Sequence, residues 1–146
     1  LEAEFGLCKD ICVPIQTTLT LPVPAAPVAD KPPAPIAAAL RQVPRPAAER
    51  NASDPAIVRT TATLDGTSPK LVVEARFPAG DKGADLFVEA PESIYIPLPK
   101  APAKTADGLR FEIPLSASTA KDLRGKPITL TLVSAAGSIW SRWQLP

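Results

Sequence analysis

The chain has 146 residues, with Lys+Arg 16 against Asp+Glu 15 and a formal net charge of +1. This length accommodates one full domain with a smaller segment beside it, and the near balance of charge argues against a nucleic acid or an acidic membrane surface as partner, since both select a concentrated basic face. The chain contains no His, which excludes a self-contained Ser-His-Asp or Cys-His hydrolase, and no apolar run reaches the ~20 residues that cross a bilayer, so membrane insertion is not expected.

The first segment, residues 1–21, contains both cysteines. After Cys12 the sequence becomes β-branched and alternating, which predicts a strand from Val13 to Leu21. Its Ile15, Leu19 and Leu21 would share one apolar face. Because an isolated strand pair is marginal in water, we expect something further to cover that face.

Residues 22–50 are rich in Pro and Ala and are predicted to form a semi-rigid, extended connector. One exception lies within it. Ile36, Leu40 and Val43 follow a helical spacing, and Pro44 ends the run, so a short helix over residues 34–43 is predicted, with this face packed.

From residue 51 to 146 the pattern has a period of two, with apolar residues alternating with polar ones. Asp-Gly and other turn signals separate the runs. A single helical turn is predicted over Thr119–Gly125, with Thr119 as its N-cap. The predicted strands lie at residues 57–64, 71–77, 85–90, 93–98, 109–115, 128–132 and 138–145.

About seven short alternating strands predict an all-β fold, an antiparallel β-sandwich of immunoglobulin-like type. Leu71, Val73, Phe111 and Ile113 should lie in its core together with Phe77, Leu130 and Leu132, while Glu74, Arg76, Arg110 and Glu112 should face solvent. Trp140 and Trp143, three apart on one strand, should point to opposite faces, so they do not form one sugar-binding platform.

The only reactive constellation is the CxxxC pair, Cys8 and Cys12. Three interpretations stay open from the residues alone. A structural disulfide is one, although closing so short a ring stabilises a fold by only about 2 kcal/mol. A soft metal site, with two thiolates on copper(I), is another. The third is a thiol–disulfide exchange pair, in which Lys9 lowers and Asp10 raises the thiol pKa. For such a pair we expect the two Cα atoms to lie about 4.4–6.8 Å apart and at least one sulfur to be partly exposed.

Two resemblances bear on this choice. The segment Phe5–Cys12 resembles the cysteine motif of the Sco copper chaperones, but that family also uses a His, and it continues into a helix where this chain is strand-like. The segment Gly6–Pro14, followed by a strand, resembles the cysteine segment of the periplasmic N-terminal domain of the DsbD and ScsB disulfide reductases, and the connector and sandwich resemble a C-terminal extension of some members.

The second resemblance implies that Cys8 and Cys12 are the catalytic pair, with Cys12 as the attacking thiolate, and that Pro14 occupies a position commonly filled by Pro. It implies a periplasmic protein that receives electrons from a membrane-embedded reductase domain and reduces thioredoxin-like proteins, without a cofactor. Most of the cysteine-bearing domain would then lie upstream of Leu1. The alternatives are a non-catalytic interaction or scaffold sandwich with a structural disulfide, and a copper(I)-handling protein in which Cys8 and Cys12 hold the metal.

Overall fold

The computed structural model describes residues 1–22, 32–91 and 94–146, which divide into two compact units, Leu1–Ile36 and Ala37–Pro146. In chain order the elements are β1 (Glu2–Cys8), β2 (Cys12–Thr18), α1 (Ala34–Leu40), β3 (Arg45–Pro46), a 3₁₀ turn (Ala47–Glu49), β4 (Ala56–Thr63), β5 (Lys70–Arg76), β6 (Asp85–Glu89), β7 (Ala103–Thr105), β8 (Gly108–Pro114), α2 (Ala117–Leu123), β9 (Pro127–Ser134) and β10 (Gly137–Gln144).

The first unit contains an antiparallel hairpin of β1 and β2. The predicted strand over residues 13–21 ends earlier, at Thr18, and β1 was not predicted. A signal for β1 exists in the sequence, because Ala3, Phe5 and Leu7 alternate with polar residues and glycine. Residues 23–31 of the predicted connector lie outside the described residues.

Helix α1 confirms a helix in the Pro/Ala-rich segment but is shorter than the predicted 34–43. The predicted packed face is wrong. Ile36, Leu40 and Val43 are each more than half exposed. Three consecutive alanines favour a helix here by intrinsic propensity, and Ile36, Leu40 and Val43 stay exposed.

The second unit is a β-sandwich of two four-stranded sheets, with strand orders β3-β10-β9-β6 and β4-β5-β8-β7. All neighbouring strands pair antiparallel except β3 and β10, which are parallel. This confirms the predicted all-β sandwich. The inner faces of both sheets contribute to one core.

The register of the core strands is as predicted. Leu71, Val73, Phe111, Ile113, Leu130 and Leu132 are buried, each at most 1% exposed. Full burial of such a side chain contributes about 1.5–3 kcal/mol. Phe77 is only partly buried and packs against this cluster, its ring 6.5 Å from that of Phe111. Of the four predicted solvent-facing residues, Arg76 and Arg110 are exposed, and Glu74 and Glu112 are half-buried beside basic partners.

Three details of the second unit differ from the sequence prediction. Residues 94–98 form no strand, since Pro97 interrupts the run and has no N–H to donate to a ladder, while Ser93 lies outside the described residues. β7 and β3 were not predicted, because strands of two or three residues are too short to show an alternation of apolar and polar residues. Residues 22–50 were assigned to the connector from the sequence. In the structure, Arg45–Pro46 of this segment pairs with β10 and so belongs to the sandwich.

Helix α2 begins two residues before the predicted turn. Ser116, not Thr119, is its N-cap, and the Ser116 hydroxyl accepts a hydrogen bond from the backbone N–H of Thr119 at 3.0 Å. The predicted end is close to the observed one, since Gly125 follows the C-cap residue with φ +63°, a conformation that favours glycine.

Candidate redox site

The two cysteines form the last residue pair of the β1–β2 hairpin, next to its three-residue loop Lys9–Ile11. At the open end, Leu1 and Leu19 exchange backbone hydrogen bonds in both directions, at 2.9 and 2.8 Å. Hydrogen-bonded and non-hydrogen-bonded pairs alternate along an antiparallel ladder. Counting from Leu1–Leu19, the pair Cys8–Cys12 is of the non-hydrogen-bonded kind, in which side chains lie closest together.

Cys8 and Cys12 are joined by a disulfide with an S–S distance of 2.01 Å and a Cα–Cα distance of 4.0 Å. The structure therefore shows a disulfide bond between the two candidate site residues. We expected a Cα–Cα distance within the usual range of about 4.4–6.8 Å, and this was wrong. Non-hydrogen-bonded partners approach to roughly 4.5 Å, closer than hydrogen-bonded ones, and the bridged cysteines at 4.0 Å lie closer still.

The hairpin has two unlike faces. Cys8 and Cys12 share one face with the neighbouring pair Gly6 and Pro14, and beyond these come Glu4–Gln16 and Glu2–Thr18. The opposite face is apolar, with the cross-strand pairs Phe5–Ile15, Leu7–Val13 and Ala3–Thr17. The disulfide thus lies on the polar face, at the tip of a two-stranded ribbon.

Both cysteines are exposed, as predicted for a pair that a partner thiol must reach. Gly6 contributes to this access. An added Cβ at Gly6 would lie 3.6 Å from the Sγ of Cys8 and 3.9 Å from the Cβ of Cys12. A larger residue at this position would cover the bridge, whereas glycine leaves its flank open. Sequence reasoning had not singled out Gly6 for this role, although a glycine inside an alternating strand is itself a signal.

The surroundings of the bridge are those of a solvated loop. Lys9 and Asp10 follow Cys8 directly, and both are exposed. Within the described ranges no group of three or more His, Cys, Asp or Glu side chains is placed to hold a metal ion. The arrangement can undergo thiol–disulfide exchange with an approaching thiolate, and it supplies at most two soft ligands to a metal once reduced.

No helix among the residues that the structure describes is long and apolar enough to cross a membrane. A family model described as a domain of unknown function (DUF8393) matches residues 42–142. The match runs from just before β3 into β10 and leaves the cysteine hairpin outside. The sequence matches no curated protein, and it matches no solved structure.

Proposed function

The chain belongs to the DUF8393 family of domains of unknown function through residues 42–142, and we propose that its N-terminal hairpin adds a thiol–disulfide exchange site to that domain. The exposed Cys8–Cys12 bridge at the hairpin tip is the observation that carries this proposal.

The position of the bridge favours exchange over a structural role. The bridge spans only the three-residue loop of a hairpin whose strands are already paired. By the loop-closure relation, so small a ring contributes about 2 kcal/mol, against about 4.7 kcal/mol for a loop of a hundred residues. A structural bridge is also better protected when it is buried, and both of these cysteines are exposed.

The proposed reaction is a two-electron exchange. In the reduced hairpin, one thiolate attacks a sulfur of the partner's disulfide, forms a mixed disulfide and releases one partner thiolate. The second hairpin cysteine, as a thiolate, then attacks the sulfur of the first hairpin cysteine in the mixed disulfide. This step forms the Cys8–Cys12 bond, and the partner leaves as a dithiol after taking up two protons. The resemblance to the DsbD and ScsB domain favours Cys12 as the attacking residue.

The same resemblance supplies the proposed setting. The partner to be reduced would be a thioredoxin-like protein of the periplasm, and a membrane-embedded disulfide reductase domain would return electrons to the Cys8–Cys12 bridge. Exposure of the pair on the polar face of the hairpin supports access by a folded partner. No cofactor takes part in these steps, because the sulfur atoms carry the electrons.

Trapping of the mixed disulfide tests the proposal. Reduced Cys8→Ser and Cys12→Ser variants are mixed with a thioredoxin variant that keeps only one cysteine of its active-site pair, activated as the mixed disulfide with thionitrobenzoate. Attack by the hairpin thiolate releases thionitrobenzoate and leaves a complex that no second thioredoxin cysteine can resolve. The mixture is then quenched with an alkylating agent and separated on a non-reducing gel. We expect the Cys8→Ser variant, which retains Cys12, to accumulate a covalent complex that dithiothreitol dissolves. Absence of a complex with either variant, under conditions where thioredoxin exchanges with a small dithiol, would contradict the proposed function.

A further inference from the structure

The two outer faces of the sandwich differ in the side chains they carry and in how many of these form ion pairs. On the β4-β5-β8-β7 sheet several charged side chains pair with one another. Glu112 contacts Lys100 at 2.9 Å and Lys70 at 3.3 Å, and Arg59 lies 3.9 Å from Glu74. These side chains are partly exposed, and exposed ion pairs contribute little to stability.

The outer face of the β3-β10-β9-β6 sheet instead carries a row of aromatic residues. The strand register places Phe87 directly across from Thr131, and Thr131 directly across from Trp140. Pro46 of β3 continues the row beyond Trp140. Phe87 is 49% exposed and Trp140 is 36% exposed. Two strand spacings separate their Cα atoms by about 10 Å.

A polar row lies beside the aromatic one. Glu89, Thr129 and Arg142 are paired across the same three strands, two residues further along each strand, which is about 7 Å. These three side chains border a shallow depression of about 370 Å³ that Pro91 and Pro127 also line. We call the aromatic row and the polar row together the aromatic face.

The polar groups of the aromatic face have unused hydrogen-bonding capacity. Among the described residues, Glu89 and Arg142 form no ion pair, although they flank the same threonine. Within residues 1–22, 32–91 and 94–146, the indole N–H of Trp140 donates no hydrogen bond. The hydroxyls of Thr129 and Thr131 donate none there either. The face thus offers one carboxylate, one guanidinium, two hydroxyls and an indole N–H beside two aromatic rings.

We propose that the aromatic face binds an extended, β-1,4-linked oligosaccharide. The C–H-rich faces of pyranose rings stack on aromatic rings, and the separation of Phe87 and Trp140 suits sugar rings two positions apart in an extended chain. Vicinal sugar hydroxyls both donate and accept hydrogen bonds, which matches a carboxylate and a guanidinium on either side of a threonine. This inference is independent of the cysteine hairpin, and the whole aromatic face lies within residues 42–142 that match the family.

The composition of the aromatic face favours a saccharide over a protein partner. Aromatic residues and Arg are also enriched at protein-binding surfaces, but there they cluster in a well-packed centre from which water is excluded. Here a threonine separates the two aromatic side chains, and Glu89 and Arg142, which form no ion pair within the described ranges, lie next to them. A surface that mixes isolated aromatic rings with free polar groups matches the alternation of C–H faces and hydroxyls on a sugar chain.

The test uses the full chain, labelled with ¹⁵N, and titrates it with N-acetylchitotetraose, with cellotetraose, and with maltotetraose as the curved α-linked comparison. We expect at least one β-linked sugar to shift the amide signals of β6, β9 and β10 and to bind more tightly than maltotetraose. Trp140→Ala and Phe87→Ala should each weaken this binding about tenfold, equal to about 1.4 kcal/mol. Arg142→Gln should weaken it as well, without altering an aromatic ring.

Matched controls make a negative result informative. Tyr95 is 77% exposed and lies outside the aromatic face, so Tyr95→Ala should leave the affinity unchanged. Lys121→Gln is the charge control for Arg142→Gln, and a Cys8→Ser/Cys12→Ser variant should bind sugar as the wild type does. Failure of both β-linked sugars to shift any signal overturns the proposal. It is equally overturned by shifts mapping elsewhere, or by concentration-dependent self-association that Trp140→Ala abolishes, which would identify a second copy of the chain as the occupant.

Discussion

Gly6 lies on the same hairpin face as Cys8, and an added Cβ at Gly6 would stand 3.6 Å from the Cys8 Sγ. That distance is an ordinary van der Waals contact, so a side chain fits there without moving the backbone. We therefore expect Gly6→Leu to fold normally and to reduce several-fold the rate at which dithiothreitol reduces the bridge. The rate is measured by quenching with an alkylating agent at intervals and counting labelled cysteines.

Thr17→Leu is the matched control for Gly6→Leu, because Thr17 lies on the opposite face of the same hairpin. It adds similar bulk and should leave the reduction rate unchanged. If both substitutions slowed reduction of the bridge equally, the slower rate would come from a change in the strands and not from shielding of the Cys8 sulfur. An unchanged rate in Gly6→Leu would contradict the role assigned to Gly6.

Among the described residues, Asp54 is the one charged or polar residue that is buried, at 3% exposure. It accepts a hydrogen bond from the backbone N–H of Asn51 at 2.7 Å and pairs with Arg45 Nε at 3.4 Å. It also lies against Gly137, where an added Cβ would collide with the carboxylate. We expect Asp54→Ala to lower the free energy of unfolding by about 2 kcal/mol, because a partly buried hydrogen bond to a charged group is then lost. Urea denaturation measures this change.

Arg45→Gln is the companion variant for Asp54→Ala. The Arg45 side chain is 38% exposed, so water replaces much of the lost ion pair, and the loss should stay below about 1 kcal/mol. Equal losses for the two variants would indicate that the ion pair, and not the hydrogen bond to Asn51, carries the contribution of Asp54.

Sequence reasoning predicted the sandwich well because its core strands are long and alternate cleanly. The run from Leu71 to Phe77 has one face apolar throughout, so a shift of one residue would have exposed that whole face. β3 was missed because two residues have no period, and its assignment depends on the distant strand β10, which no local pattern reveals. The N-cap was misplaced at Thr119 because Ser116, Ser118 and Thr119 are all suitable caps, and the choice depends on the backbone.

Glu112 gives the sandwich a pH dependence that can be assigned to one side chain. Hydrogen bonds from Lys100 and then Lys70 lower its pKa below the ordinary value of 4.5, against a smaller opposing effect of burial. A carboxyl group whose pKa is lowered on folding stabilises the folded state above the unfolded pKa, and this stabilisation is lost as the pH falls through the folded pKa. Stability should therefore fall with decreasing pH below about 4.5, and Glu112→Gln should lose this component.

Titration of the Glu112 carboxyl by NMR checks the assignment of causes. Lys100→Gln should raise the pKa of Glu112 towards 4.5 by more than Lys70→Gln does, since the hydrogen bond from Lys100 is the larger cause. The opposite order, or a wild-type pKa at or above 4.5, would refute the proposed electrostatics of this face.

The candidate site was predictable in part. Two cysteines with three residues between them, in a chain with no His, indicated the pair, and the structure joins them. The hairpin geometry was not predicted, because the strand was assigned only after Cys12 and the alternation before Cys8 was not used. The polar and apolar faces depend on the register that pairs Cys8 with Cys12 across the loop, and this pairing is a property of two strands together.

The reduction potential of the Cys8–Cys12 bridge tests the central proposal most directly. The oxidised chain is equilibrated in buffers of defined dithiol and disulfide ratio, and the fraction of reduced cysteines is measured by alkylation. An exchange site should have a potential between about −270 and −120 mV, the range spanned by thioredoxin and the strongly oxidising exchange proteins. A potential below about −300 mV, typical of structural disulfides, would contradict the exchange function and leave the hairpin with an inert bridge.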